Sequence, residues 1–242
     1  MVDFTGGTWR SLIDGSEVSA IADDLIWQVV SEDFQDPWPD QIADANLDVD
    51  GLEETTVDDR TVISGDSGDG DFAVEQSIGD VPELENRETW GIAITVRTSE
   101  LGHIFGSTDS GDSEFFLRTD RVDDKALFGL EGDSGGERLF EHSDVDITTG
   151  DFHAIICNKT ANDNMDIWVD DMLDEDEQSV QELESDYNPD NHNRQHPLTF
   201  YARDNGSGPQ DNVTADIRII EFKDNPYSES ERLEFVDGRG EV

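Results

Sequence analysis

From Gly150 to Asp170 the chain alternates apolar and polar residues in two short runs joined by a polar connection, Lys159–Asn164. In the second run Met165, Ile167 and Val169 share one face, and Asp166, Trp168 and Asp170 share the other. That is the period of a strand with one buried side. The first run, Phe152–Asn158, is apolar on both faces, as in a strand packed from two directions. Asn and Asp in the connection favour turns because their side chains bond nearby backbone groups. The stretch therefore predicts an antiparallel hairpin with a packed inner face.

Comparable runs flank it. In WGIAITVRT, from Trp90, Ile92, Ile94 and Val96 oppose Ala93, Thr95 and Arg97. His103–Phe105, Glu114–Thr119, Lys125–Glu131 and Arg138–Glu141 follow, separated by Gly, Asp and Ser turns at intervals of about ten residues. Leu198–Arg203 and Thr214–Phe222 resume after an acidic connection, Asp171–Asn193; the latter places Ile217 and Ile219 together against Asp216 and Arg218. LIWQVV, Leu25–Val30, reads as the first strand, broken off by Pro37 and Pro39. Shorter candidates lie at Leu47–Val49, Thr61–Ser64 and Phe72–Gln76. This cadence predicts an all-β sandwich. Ser228 with Glu231 three residues on fits a capping box opening a short C-terminal helix. Residues 1–24 show no strand period. Their apolar groups, Phe4, Trp9, Leu12 and Ile13 among them, pack on the same domain or dock on a neighbouring protein.

Charge changes the picture of habitat. Sixty Asp and Glu stand against 15 Lys and Arg, a net charge of -45, and three of the cations are lysines. Such a charge drives a compact chain apart unless salt screens it. Screening length falls from about 8 Å under physiological conditions to about 3 Å near molar salt. An acid-rich, lysine-poor surface thus suits near-saturating salt. Nucleic acid is excluded as a partner because no cationic cluster appears. No apolar run approaches the roughly 20 residues of a membrane span, so membrane insertion is not expected. Cys157, the single cysteine, reads as a small buried hydrophobe. MVDFTGGTWR lacks the basic start and apolar segment of a secretory signal.

Several segments together resemble a known family. GDFHAIICNKTANDNMDIWVDD follows the pattern Gly-x-aromatic-His, apolar strand, polar turn, then a strand ending in an acidic pair. LTFYARDNGSG with ADIRIIEFKDNPYSESE resembles the family's last two strands and closing helix, and WGIAITVRTSELGHIFGSTD an earlier strand and turn. These are similar to the laminin-G-like, concanavalin-A-like lectin/glucanase domain, a two-sheet antiparallel jelly-roll sandwich. The opening FTGGTWRSLIDG resembles the lead-in to such domains in virion proteins of tailed viruses of halophilic archaea. The organisation implied is a docking arm over residues 1–24, a jelly roll over 25–226, and a short helix and tail over 227–242.

Glycosidases on this fold need two carboxylates, about 5–5.5 Å apart for retention. The glucanase signature Glu-x-Asp-x-x-Glu falls on none of the predicted strands. Asp166 and Asp170 share a face but sit about 13 Å apart along a strand. Among the histidines only His192 and His196 have i, i+4 spacing, in a Pro/Asn-rich loop without the intervening Glu of a zinc helix. His153 reads as a structural histidine. Calcium is the one cofactor considered, at Asn46, Asp48 and Asp50 and at Asp66, Asp69 and Asp71, but the first loop has Val57 where a bidentate Glu belongs. Trp168 and Tyr201 are the candidate sugar-stacking rings, with packing under a loop as the plainer alternative. Asn158, Asn205 and Asn212 open Asn-x-Ser/Thr triplets.

The expectation is a non-enzymatic virion structural and adhesion protein, a capsid decoration, turret or tail component. It would form homo-oligomers, contact other virion proteins, and meet host surface glycans or glycoproteins from the virion surface. A carbohydrate-active enzyme, or a lectin-like module at the surface of a halophilic archaeon, is the alternative. The charge argument makes a prediction of its own. On dilution from molar to about 0.1 M salt the chain should lose its β-sheet circular dichroism and its melting temperature should fall; an unchanged melting curve in dilute buffer removes the brine habitat.

Overall fold

A computed structural model describes residues 24–43, 45–107, 114–119, 124–132, 138–161, 164–170, 172–173, 194, 196–204 and 207–239. The candidate docking residues Phe4, Trp9, Leu12 and Ile13 lie outside these, as do His192 and Asn205. In chain order the early strands are β1 (Leu25–Val30), β2 (Leu47–Asp50), β3 (Glu53–Val57), β4 (Arg60–Gly65), β5 (Phe72–Glu75) and β6 (Trp90–Thr98). The middle ones are β7 (His103–Ser107), β8 (Glu114–Thr119), β9 (Lys125–Glu131), β10 (Arg138–Asp146), β11 (Phe152–Ala161) and β12 (Asn164–Val169). The chain closes with β13 (Met172–Leu173), β14 (Thr199–Phe200), β15 (Arg203–Asp204), β16 (Pro209–Gln210), β17 (Ala215–Lys223) and helix α1 (Glu229–Glu234).

The strands form two sheets. One runs β13-β12-β11-β6-β17-β4-β3, with β1 also on β17; the other runs β10-β9-β8-β7-β14-β5-β2, with the β15–β16 hairpin beside β7. Pairing is antiparallel throughout, save one parallel link between β15 and β7. The fold is the all-β, two-sheet jelly-roll sandwich that the sequence predicts. The organising hairpin pairs Ile155 with Val169 and Cys157 with Ile167, and β11 pairs β6 on its other side.

Alternation explains the layers. Ile92, Ile94, Val96, Ile155, Cys157, Met165, Ile167 and Val169 enter the core between the sheets, where Phe105, Phe115, Leu117, Phe128 and Leu130 meet them. The opposite faces of the same strands carry Ala93, Ala154, Ile156 and Trp168, which with Tyr227 and Phe235 form a second, outer cluster. This is why β11 is apolar on both sides. Phe105 is the hub of the inner layer, with Phe115, Phe128, Phe200 and Phe222 centred 5.5, 5.8, 5.8 and 6.2 Å away. Trp27 stacks on Phe200 at 5.6 Å and 14°.

One predicted face is reversed. Ile217 and Ile219 were expected on the same side, but Ile217 lies in the inner core and Ile219 in the outer cluster. The cause is a β-bulge: Ile217 pairs with Val96 and Ile219 with Thr95, so Arg218 is an extra residue in β17. An inserted residue exchanges inside for outside beyond it, which carries Ile220 and Phe222 into the core.

The C-terminal segment caps the outer cluster. Ser228 accepts a hydrogen bond from the Glu231 backbone N–H, and Glu231 accepts one from the Ser228 N–H at 2.8 Å, the expected capping box. Lys223 Nζ contacts Glu231 at 2.5 Å and Asp24 at 3.1 Å, tying both ends of the domain to one cation. Asn158, the first residue of an Asn-x-Thr triplet, is buried here, donating to the Tyr227 carbonyl at 2.8 Å and accepting from its N–H at 2.7 Å. The loop before β2 is organised by Asp40, whose carboxylate accepts from the backbone N–H groups of Gln28, Ile42, Ala43 and Ala45.

Two substitutions test this packing. Phe105→Ala removes the ring on which four others converge and should cost about 3–5 kcal/mol. Asp40→Ala leaves several backbone donors without their acceptor and should cost about 2–3 kcal/mol. Both are read by denaturant unfolding in molar salt.

Candidate ligand-binding cleft

The residues singled out for chemistry do not converge. Tyr201 is 0% exposed: its ring packs between the sheets and its hydroxyl donates to the Ile63 carbonyl at 2.6 Å. The backbone turns at Tyr201, with φ 65°, and a Cβ on Gly65 would meet its ring at 2.7 Å. Tyr201 is thus a core residue, and its proposed role in stacking on a sugar is corrected. Trp168 does face outward, but the C-terminal segment lies over it: the ring is 7% exposed and the Arg232 guanidinium sits 4.3 Å from its centroid. Neither ring offers a free face.

His153 is a structural histidine. Nδ1 lies 2.8 Å from Asp170 and Nε2 2.9 Å from the Thr149 hydroxyl, while the other Asp170 oxygen accepts from the Ala154 N–H. Asp170 closes this turn. Cys157 is buried, and burial pushes its thiol pKa well up. In the calcium candidates, Asp48 accepts from Gln76 at 2.7 Å, Asp66 from the Gly68 N–H at 2.7 Å, and Asp71 from the Asp66 N–H at 2.9 Å. Asp66 and Asp71 serve their own loop, and Asp48 bonds across to the residue that follows β5. Among the described residues no three His, Cys, Asp or Glu side chains are grouped as a metal would need.

Two glutamates are brought together elsewhere. Arg194 lies 3.4 Å from Glu75 and 3.2 Å from Glu85, with all three side chains sealed from solvent. Glu75 also accepts from the N–H groups of Leu198 and Val81, at 2.8 and 3.0 Å. Burial raises the Glu75 pKa from 4.5 to about 7, against the pull of Arg194. No substrate reaches this cluster; it pins the segment after β5 to β14.

Among the described residues an open concavity lies at one end of the second sheet. It is a cleft of about 170 Å³ lined by Leu101, Gly102, His103, Arg118, Thr119, Asp211 and Asn212. Three segments distant in sequence build it: the turn into β7, the end of β8, and the loop before β17. Gly102 lets that loop close, because a Cβ there would meet Val213 at 2.9 Å and the Asn212 carbonyl at 3.0 Å. Gly102 N–H donates to the Thr119 hydroxyl at 2.7 Å, and the His103 N–H donates to the Asp211 carbonyl at 3.1 Å. The Arg118 guanidinium lies 5.0 Å over the Phe116 ring, whose other neighbours include His103 at 5.7 Å. Arg203 pairs with Asp211 at 2.8 Å. Leu101 is 45% exposed at the rim.

No family model matches the chain, and no curated protein matches it in sequence. Solved structures do match in fold. The binding domain of Paraclostridial Mosquitocidal Protein 1 aligns with a TM-score of 0.62 at 14% identity, over 87% of this chain and 51% of its own. A botulinum neurotoxin type C structure, described as showing that cell entry depends on two ganglioside molecules, aligns at 0.63 and 12% identity, over 91% and 52%. The binding domain of botulinum neurotoxin DC, in complex with rat synaptotagmin II, aligns at 0.62 and 14%, over 88% and 51%. The chain spans about half the length of these toxin binding domains. The likeness is one of fold.

Sequence reasoning missed the cleft because none of its three segments carries a local signature. The one available signal was the SELGH turn, where Gly102 and an exposed leucine break the strand period.

The buried glutamate makes a pH prediction. Glu75 binds its proton more tightly folded than unfolded, so the stability it contributes is complete below pH 4.5 and is lost as pH rises through about 7. Glu75→Gln should flatten the fall in unfolding free energy between pH 4.5 and 7 relative to the parent, measured by denaturant titration. An unchanged slope would place the Glu75 pKa near 4.5 in both states.

Proposed function

We propose that this chain is a non-enzymatic structural and adhesive component of a virus particle that infects a halophilic archaeon, displayed on the virion surface. It meets host surface glycans or glycoproteins and assembles with its own copies and other virion proteins. The observation that carries the adhesive part is the fold: a jelly roll that aligns along most of its length with toxin domains whose work is binding to cells. The halophilic setting is supported by the net charge of -45. The virion setting is supported by the likeness of FTGGTWRSLIDG to the lead-in of such domains in haloarchaeal tailed viruses.

A lectin-like module of the host surface shares the fold and the charge, and one experiment separates the two. Quantitative mass spectrometry of gradient-purified virus particles should find this chain at fixed stoichiometry to the major capsid protein. Its recovery in host envelopes and absence from particles overturns the virion reading. A second measurement addresses the arm: in molar salt the full chain should be oligomeric by light scattering, and a variant lacking residues 1–24 monomeric. Two monomers would remove the docking role of Phe4, Trp9, Leu12 and Ile13.

A further inference from the structure

We infer that residues 77–89 form a strap latched by one proton in the sealed site of Glu75, Glu85 and Arg194, seated while that proton is bound and released as it leaves to solvent. The latch is separate from the adhesive reading above, and it acts on the fold and not on a ligand.

The first argument is charge counting. Two carboxylates face one guanidinium, with Arg194 at 3.4 Å from Glu75 and 3.2 Å from Glu85, and all three side chains are 0% exposed. With both acids ionised the site carries an uncompensated negative charge, which burial penalises heavily; one bound proton makes it neutral. Glu75 is where that proton resides, because burial outweighs the pull of Arg194 and holds its pKa at about 7. The charged groups that bear on Glu75 are Arg194, which lowers that pKa, and Glu85, which raises it. The approach to β14 meets Glu75 with the Leu198 N–H, and β2 meets it with the apolar Leu47.

The second argument is how the strap is tied. Between β5 and β6, residues 77–89 form turns and bends without a strand or helix. The backbone bonds from Asp80 to Ser77 and from Arg87 to Leu84 are internal to the strap. Its ties to the sheets run through charged side chains. The Val81 N–H donates to Glu75 at 3.0 Å, and the Val81 carbonyl accepts from Arg194 at 2.9 Å. Further on, the Arg87 and Glu88 carbonyls accept from Lys159, and Arg87 pairs with Asp224. Glu75 and Arg194 thus clasp the backbone of Val81, whose side chain is buried in the core with that of Leu84. A change of charge in the site therefore acts on the strap itself. β5 and β14 have their own ladders to β2 and β7, so the strap yields before they do.

The test follows hydrogen exchange by mass spectrometry on the full chain in molar potassium chloride, with labelling times scaled to the intrinsic exchange rate at each pH. Glu75 binds its proton more tightly in the seated strap than in the released one, where its pKa returns to 4.5. The opening constant of residues 77–89 should therefore rise about tenfold per pH unit from pH 5 and level off above about pH 7. Peptides across β6 and β11 should keep their protection throughout. Glu75→Gln should abolish the rise. Glu85→Gln leaves one carboxylate for one guanidinium, neutral without a proton, so its strap should stay seated above pH 7. His196→Gln, on the approach to β14, should keep the parent response. Should Glu75→Gln lose its fold by circular dichroism, Glu85→Gln decides. Strap exchange that does not change with pH overturns the inference, and so does a Glu85→Gln strap that is looser than the parent at every pH. Loss of the rise in His196→Gln assigns the proton to the imidazole and overturns the latch. Protection lost in β6 and β11 together with the strap overturns the local opening.

Discussion

The two sheets are held face to face by rings that meet from both sides, and Phe105 is where they meet. Phe115 and Phe128 come from its own sheet, Phe222 from the opposite one, and Trp27 reaches the same layer by stacking on Phe200. Each such pair adds about 0.5–1.5 kcal/mol beyond the area it buries. The contact also sets register. Phe222 reaches Phe105 only because the bulge at Arg218 turns the second half of β17 inward. Remove the bulge and Ile219 would take the core position, with Phe222 left outside.

The same economy governs the cations. Of three lysines, Lys159 and Lys223 are buried. Lys159 Nζ donates to the carbonyls of Arg87 and Glu88, at 2.9 and 2.7 Å. Lys223 bridges two acids and lies 4.6 Å over the Tyr227 ring. Arg194 is wholly internal as well. Three cations are thus committed to holding the interior together, and they share it with the buried acids Asp40, Glu75, Glu85, Glu131, Glu141 and Glu221. The remaining acids still far outnumber the remaining cations, so the surface depends on screening.

Much of the architecture was legible because alternation survives wherever a strand has one wet side. β6, β11 and β12 were readable to within a few residues, and the two-faced apolar pattern of β11 correctly implied covering from both directions. What was hidden lacked that signature. β3, the edge strand EETTV, is largely exposed, so nothing apolar marked it. The Arg218 bulge has no sequence signal of its own, and it misassigned Ile219. Tyr201 was a candidate stacking ring, with packing as the plainer alternative, and the positive φ there accompanies a ring turned into the core. The cleft was illegible for a different reason: it exists only where residues near 102, 118 and 211 meet. Local periodicity carries no information about such meetings.

Both ends of the domain converge on Lys223, at the last residue of β17, whereas the cleft opens beside the loop that leads into Ala215 at its first. Nine residues of extended chain separate the two, about 27 Å from pole to pole. The clasp and the cleft thus occupy opposite poles of one strand, and a change at either reaches the other only along the length of β17.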